Sequence, residues 1–502
     1  MLRKTIQNFA SQLFVLLISI GDRFILAALL LRVWQTEMFA DWTTILSIAS
    51  LLGLADLGFV VFVGNKLQKS FSIGDEKGFR RIVGTSIFSY GILALGIASA
   101  TTVLSIIQVS TPFLSVIALT NVDAAWTLFF AGISQSLHTF KSACSTIFRG
   151  RGDFALGAVV DGVSTLCILG CALAAAALGA DVQHLAAVYL GAHLIFGWGI
   201  LLTKLRRRYP DISLKPLLPS RRELQEAGLA MRWYALSCSL PTIWLQTPVL
   251  LLNGLGMSGA PVVSFVIQRT LVNFGRSVSV MLSVAGGVEL VAHVHANDKA
   301  MIERGVRTIG RLVAAIAGVM IAGLLSFGDQ MIMVWTGKPA LFDAPVVFWL
   351  AMPALLVAPA TPLLYLAHLA DLPKPQAYAQ LVQTFVAAVC LLALAGRYGL
   401  GGVAFGLALG ELLGIGLLLP ILLNRHLQIS YWKNAALCIP LGLTAFAWAE
   451  ILAYGISLFV RTNTILGLIL TLVTWAGAAL APVIFFLTPA RRLISAKLRA
   501  IS

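Results

Sequence analysis

Two arginines, Arg269 and Arg276, lie seven residues apart inside an apolar stretch, with Asn273 between them. In a helix, spacings of four and three put all three on one face, and seven residues span about 10 Å of axis. Two guanidinium groups on one stripe are too costly to face hydrocarbon. Their planar forks can grip a phosphate or diphosphate bidentately; the alternative is pairing with acids on neighbouring helices. Other polar side chains follow helical spacing. Gln135, His138, Ser142 and Ser145 share a stripe with Lys141 beside it, and Arg232, Ser239, Thr242 and Gln246 form another. Ser19, Asp22 and Arg23 fall in the first apolar run and Asp56 in the second. The expected substrate contacts are Arg23, Lys141, Arg232, Arg269, Asn273 and Arg276, lining a mostly cationic cavity. Arg232 sits near a run's end, where it can instead snorkel. The acids Asp22, Asp56 and Asp161 are candidates for a coupling H+ or Na+, unless they simply neutralise nearby bases. Asp22 and Arg23 are adjacent and cannot face the same way on a helix, so each needs its own partner.

Such residues must be positioned by membrane helices. Of 502 residues, 59% are hydrophobic and 11% charged, with mean hydropathy +0.90. A soluble domain carries about 25% charge, so a soluble enzyme, a disordered chain and a fibrous protein are excluded. Long unbroken apolar runs also argue against a β-barrel, whose strands alternate. The fold class is an all-α polytopic membrane protein. Runs of about 20 apolar residues give fourteen expected spans: 8–31, 41–63, 82–108, 124–147, 154–179, 184–203, 228–252, 261–288, 306–328, 343–370, 377–396, 401–423, 434–459 and 464–487. The fourth, seventh and eighth carry the most polar residues. The start resembles a signal peptide but lacks a cleavage site, and reads as an uncleaved first helix.

Charge distribution orients these spans. With a cytoplasmic N-terminus, 27 Lys and Arg fall on the inner side, counting Arg307 and Arg311 at the inner end of the ninth span, and 4 on outer loops, as the positive-inside rule requires. Both termini are then cytoplasmic. The same bias accounts for the net charge of +15 without nucleic acid as a partner. The longest polar connection, Lys204–Gly228, holds seven basic residues and three prolines and reads as a cytoplasmic linker. The expected organisation is an N-terminal six-helix lobe (1–203), the linker (204–227), a second six-helix lobe (228–423), then two further helices and a basic tail (424–502). Gly64, Asp75, Arg81 and Gly191 recur as Gly287, Asp298, Arg304 and Gly414, each 223 residues on. Parallel duplicated halves are a transporter design with the site between them.

No catalytic motif is present. Thr336-Gly337-Lys338 lacks the upstream glycine and strand of a P-loop, Gly256-Met257-Ser258-Gly259 is not GxSxG, and no HExxH occurs. The six cysteines lie in apolar stretches without metal-ligand spacing. The chain reads as a non-enzyme without a metal or organic cofactor. Pro241 and Pro248 in the seventh span, and Pro353, Pro359 and Pro362 in the tenth, each remove a backbone bond and permit bending.

Several segments resemble the polysaccharide flippases of the multidrug/oligosaccharidyl-lipid/polysaccharide superfamily. They are FADWTTILSIASLLGLADLGF (39–59), GNKLQKSFSIGDEKGFRR (64–81), FRGRGDFALG (148–157), VWTGKPALFDAP (334–345) and RYGLGGVAFGLALGELL (397–413). The resemblance implies two six-helix lobes in a V, a central cavity lined by the first, second, seventh and eighth helices, and two additional C-terminal helices. It also implies an undecaprenyl-diphosphate-linked oligosaccharide as substrate, moved across the bacterial inner membrane for exopolysaccharide, capsule or O-antigen assembly. Expected partners are that lipid-linked oligosaccharide, membrane lipids, a polysaccharide polymerase and glycosyltransferases. The alternatives are a multidrug/cation antiporter, a lipid II flippase and, from another class, a membrane-embedded glycan polymerase or ligase. A cationic cavity disfavours the first, and the short outer loops disfavour the last.

Overall fold

A computed structural model describes residues 11, 14–15, 17–296, 298–370, 372–457 and 465–487. The N-terminal residues 1–10 and the basic tail 488–502 lie outside the described residues. The described chain is helical, without strands. A π-helical turn, Asp22–Leu26, leads into α1 (Ala27–Val33). There follow α2 (Thr36–Leu52), α3 (Phe59–Ser72), α4 (Glu76–Ser110), α5 (Asn121–Gly150), α6 (Phe154–Ala177), α7 (Val182–Ala192) and α8 (Gly199–Arg208). Beyond the linker come α9 (Arg221–Gly254), α10 (Ala260–His295), α11 (Lys299–Thr336), α12 (Ala344–Leu356), α13 (Thr361–Leu369), α14 (Pro373–Glu411), α15 (Leu419–Leu427), α16 (Tyr431–Ser457) and α17 (Ile465–Leu487). The chain separates into two compact units, 1–263 and 264–502. The helix of the seventh span, α9, therefore packs with the first unit.

The 223-residue repeat is visible in the geometry of helix starts. Asp75 caps α4 by accepting from the Gly78 N–H, and Asp298 caps α11 by accepting from the Met301 N–H. Their backbones match, at φ −82°, ψ 79° and φ −84°, ψ 81°. Thr120 caps α5 through the Asp123 N–H, and Asp343, 223 residues later, caps α12 through the Val346 N–H. Each cap satisfies a backbone donor that the helix leaves open. The loops before α5 and α12 are also tied down alike. Buried Asp41 on α2 accepts from the N–H groups of Ile117, Ala118 and Leu119. On α10, Ser264, again 223 residues on, donates to the Leu341 carbonyl, and Gln268 accepts from the Asp343 N–H.

The repeat diverges at two breaks. Unit 1 interrupts its second span at Gly53–Gly58, with a 3-10 turn and two left-handed residues, Leu57 (φ 48°) and Gly58 (φ 73°). The corresponding α10 runs unbroken. Conversely α5 is continuous, whereas α12 and α13 meet at a 66° bend beside Pro353, Pro359 and Pro362. Pro241 and Pro248 lie inside α9 without ending it, because each removes only one backbone bond. By length and composition, eight described helices can cross a membrane, or nine with the bent α12–α13 pair as one span, which does not establish a count of fourteen. Two features account for much of the difference. A single 55-residue element, Pro373–Leu427, contains the expected spans 377–396 and 401–423 and turns at Gly399 (φ 56°, ψ −139°). The polar α5 and α10 form where the fourth and eighth spans are expected but fall outside the apolar set.

Residues 209–219 of the linker contain no helix. The Leu217 N–H donates to the Gly84 carbonyl at 2.9 Å, and Leu217 fills the space where a side chain on Gly84 would stand. Arg151 joins Glu76 to Asp211, and Arg208 pairs with Asp153. A capping box, Ser220 with Glu223, then opens α9. In unit 2 the thirteenth span, α16, lies against α11 with almost no side chain between them: a Cβ on Gly318 would meet the Gly442 backbone. Close approach through small residues is how membrane helices associate.

Candidate functional site

The break at Gly53–Gly58 turns Asp56 towards α4. Its Oδ1 accepts from the Tyr90 hydroxyl at 2.6 Å and from the Val60 N–H at 3.3 Å. Tyr90 itself is fully buried. Gly58 allows α9 to approach, since a Cβ there would lie 2.9 Å from the Tyr234 carbonyl oxygen and 3.0 Å from Cys238 Sγ. Asp56 consequently lines two cavities. One, of about 330 Å³, also receives Ser50, Gln135, Ser239, Thr242 and Gln246. Gln135 of the fourth span's stripe thus meets Ser239, Thr242 and Gln246 of the seventh span's stripe here, inside unit 1.

The second cavity, about 320 Å³, runs between α3, α4 and the foot of α9 and is lined by Asp56, Lys66, Thr85, Ser89 and Glu223 among apolar walls. Its edge at the foot of α9 is held by Arg81, which donates to both oxygens of Glu223 at 2.8 and 3.1 Å. Those two bonds, outweighing burial, draw the Glu223 carboxyl down from its ordinary 4.5 to about 2.

In unit 2, α10 carries Arg269, Asn273 and Arg276 on one face. Arg269 stacks over Phe265, 5.2 Å from the ring centre. Arg276 forks onto Glu411, with Nη1 donating to Oε2 at 3.1 Å and Nη2 to Oε1. Tyr365 on α13 interacts electrostatically with both charges.

This architecture is shared with solved structures. An inward-facing multidrug resistance MATE family transporter of the MOP superfamily matches with a TM-score of 0.66 at 16% identity, over 83% of this chain and 96% of its own. The lipid II flippase MurJ, in an inward closed conformation, matches at 0.65 with 12% identity, over 96% of this chain and 100% of that one. The fold is that of MOP-superfamily transporters. A third such protein, a MOP superfamily transporter from Pyrococcus furiosus whose binding pocket is described as having reverse polarity, matches at 0.56 with 12% identity, over 89% and 95%. No family profile and no curated protein matches the sequence.

Within the MOP fold the charged side chains divide into paired and exposed sets. Lys141, almost fully buried, reaches Asp161 Oδ1 at 3.1 Å, and Ser145 donates to the same oxygen at 3.2 Å. An expected substrate contact and an expected ion site are therefore partners. Beside them His193 Nδ1 lies 3.0 Å from Ser134 Oγ, and its ring meets His138 edge-on. Arg23 and Arg232 are exposed, the latter over Trp233. Asp22 sits in the π-helical turn, where it interacts with Arg23 and Tyr189. Glu450 accepts from Ser326 in unit 2. Sequence reasoning did not anticipate Tyr90 or Tyr365, which lie in apolar runs without charged neighbours in sequence. No group of three or more metal-ligating side chains occurs among the described residues.

Proposed function

We propose that the chain is a flippase that moves an undecaprenyl-diphosphate-linked oligosaccharide from the cytoplasmic to the periplasmic leaflet of a bacterial inner membrane, for exopolysaccharide, capsule or O-antigen assembly. The observation that carries this reading is the pair of guanidinium groups on one face of α10, inside a fold shared with a lipid flippase. Arginine on a membrane helix favours an anionic head group and disfavours a cationic drug. Coverage supports it too. The MATE transporter leaves about a sixth of this chain unmatched, roughly the length of two or more membrane helices, whereas the lipid flippase spans nearly all of it.

The head group is taken from the cytoplasmic side while the lipid tail stays in the bilayer, and a conformational change exposes it to the periplasm. Within unit 2, Arg269, Asn273 and Arg276 contact the diphosphate. Asp56, between two cavities, is the leading candidate among the three acids for ion coupling. The chain acts between glycosyltransferases that build the lipid-linked unit and a polymerase that consumes it. A second reading, a flippase for lipid II itself, is favoured by the full-length match to MurJ. Proteoliposomes loaded with a fluorescent lipid-linked oligosaccharide, with lipid II, or with a cationic dye separate the cases. Translocation of the first alone supports the proposal, lipid II alone supports the second reading, and dye export alone overturns both.

A further inference from the structure

The cavity of about 330 Å³ beside the Gly53–Gly58 break is lined by polar side chains that the protein itself does not use. Elsewhere in unit 1, hydroxyls fold back onto their own helix: Thr44, Ser47, Thr139 and Thr165 each donate to the carbonyl four residues earlier. The hydroxyls of Ser50, Ser239 and Thr242 and the amides of Gln135 and Gln246 have no hydrogen-bond partner among the described residues. They converge from three helices, Ser50 from α2, Gln135 from α5 and the others from α9. Gly53 makes room for them, since a side chain there would take the place of the Gln135 amide. All five residues are half-buried and none of their polar atoms is sealed. Leu57 in the same wall is 46% exposed. A small molecule entering the cavity therefore reaches these groups.

The lining selects the ligand. It holds no lysine or arginine, so nothing in it offsets a phosphate. Its carboxyl, Asp56, already accepts through Oδ1 from Tyr90 and Val60. Hydroxyls and primary amides both donate and accept. Two amide NH2 groups give a metal cation nothing to bind. A ligand that satisfies the whole set carries donors and acceptors together at short intervals, as a polyol does. Leu54, Leu57 and Leu245 supply an apolar wall for the C–H face of a ring. The volume equals that of about ten waters, the bulk of one sugar ring. We propose that this cavity is a subsite for one uncharged sugar residue of the glycan. The amides of Gln135 and Gln246 pair with ring hydroxyls, and Ser50, Ser239 and Thr242 complete the contacts. An acidic sugar is refused, because its carboxylate would be desolvated beside Asp56 with no cation to balance it. A lipid diphosphate without a sugar leaves these groups unmatched, and a site built to bond hydroxyls discriminates against a ligand that lacks them.

The subsite rests on the lipid-linked glycan reading above. The full-length protein in detergent is titrated calorimetrically with geranyl methyl diphosphate and with the glucosyl, galactosyl, N-acetylglucosaminyl and glucuronosyl esters of geranyl diphosphate. The methyl ester matches the diphosphate charge of the sugar esters. At least one of the three neutral sugars should lower Kd about tenfold or more relative to the methyl ester, a gain that one or two net hydrogen bonds supply. The glucuronosyl ester should show no such gain. Gln135→Leu and Gln246→Leu, which replace an amide by an apolar side chain of similar length, should lose the gain while binding the methyl ester as wild type does. No gain with any neutral sugar, an equal gain with the glucuronosyl ester, a gain that survives both substitutions, or no binding of any ester would each overturn the subsite. The wild-type series needs no variant, so it decides the matter even if a leucine variant fails to fold. Translocation of a lipid-linked oligosaccharide without a sugar gain in binding would leave the flippase reading intact and remove this one. A sugar gain without translocation would do the reverse.

Discussion

At the scale of single residues, the Lys141–Asp161 pair makes an asymmetric prediction. Lys141 is 5% exposed and Asp161 43%. Removing the acid strands a buried ammonium, and breaking a buried pair this way costs about 3–5 kcal/mol. Removing the lysine leaves a carboxylate that is already largely uncovered by the protein. Asp161→Ala should therefore lower the unfolding temperature in detergent much more than Lys141→Met; the opposite order would contradict the pairing. Arg269 offers the complementary case. If it holds head-group phosphate, Arg269→Ala should reduce export per inserted molecule with near-normal protein level. One charge-assisted contact is worth about 1.5–3 kcal/mol, or about 10–150-fold in affinity. Arg269→Lys should recover only part, since lysine lacks the fork. Normal export per molecule in the alanine variant would remove Arg269 from the clamp. Residue types and helical spacing were enough to place Gln135, Ser239, Thr242 and Gln246 on cavity-facing stripes, because periodicity alone determines a helix face. They could not pair Lys141 with Asp161 or Arg276 with Glu411, because which helices adjoin is set by tertiary packing and not by local spacing.

At the scale of elements, the breaks and the clamps on the linker matter most. Gly58 combines φ 73° with α9 backbone 2.9 Å from where a Cβ would stand. Gly58→Ala should cost about 1–3 kcal/mol from strain alone, with further loss as α9 is pushed away. Gly399→Ala meets nothing within 4 Å and should show the backbone term only. A thermal shift for Gly58→Ala no larger than for Gly399→Ala would contradict the close approach. The Arg81–Glu223 clamp has a defined pH window. Because the folded carboxyl titrates near 2 rather than 4.5, its stabilisation is complete above about pH 4.5 and disappears as pH falls towards 2. Spin labels at Lys77 and Gln225 should keep one distance from pH 5 to 8 and separate only in strong acid; separation near neutrality would show that something other than this bond holds the foot of α9. Asp75 and Asp298 were legible in the sequence as a repeated pair; that they cap α4 and α11 shows only in the structure. The Gly53–Gly58 break was not legible, because GLAD sits inside an otherwise unbroken apolar run and the left-handed backbone of Leu57 and Gly58 shows only in the structure.

For the whole molecule, composition and charge asymmetry led to the polytopic helical class, and the offset of 223 led to the duplication that the capping geometry repeats. Substrate identity is less legible, because apolar composition reflects the bilayer rather than the cargo. The topology implies that reporter fusions at Ser213 and at the C-terminus score cytoplasmic and one at Val116 scores outside. Opposite sides for Ser213 and the C-terminus would contradict the positive-inside assignment. Whether this chain translocates an anionic lipid-linked glycan is measured in a reconstituted assay. Proteoliposomes carrying wild type, Arg269→Ala or Arg276→Ala are given a fluorescent undecaprenyl-diphosphate-linked oligosaccharide, and outer-leaflet label is quenched over time. Wild type should translocate the label, and both variants should lose at least tenfold per inserted molecule. Wild-type vesicles no faster than protein-free ones, or variants as fast as wild type, would contradict this.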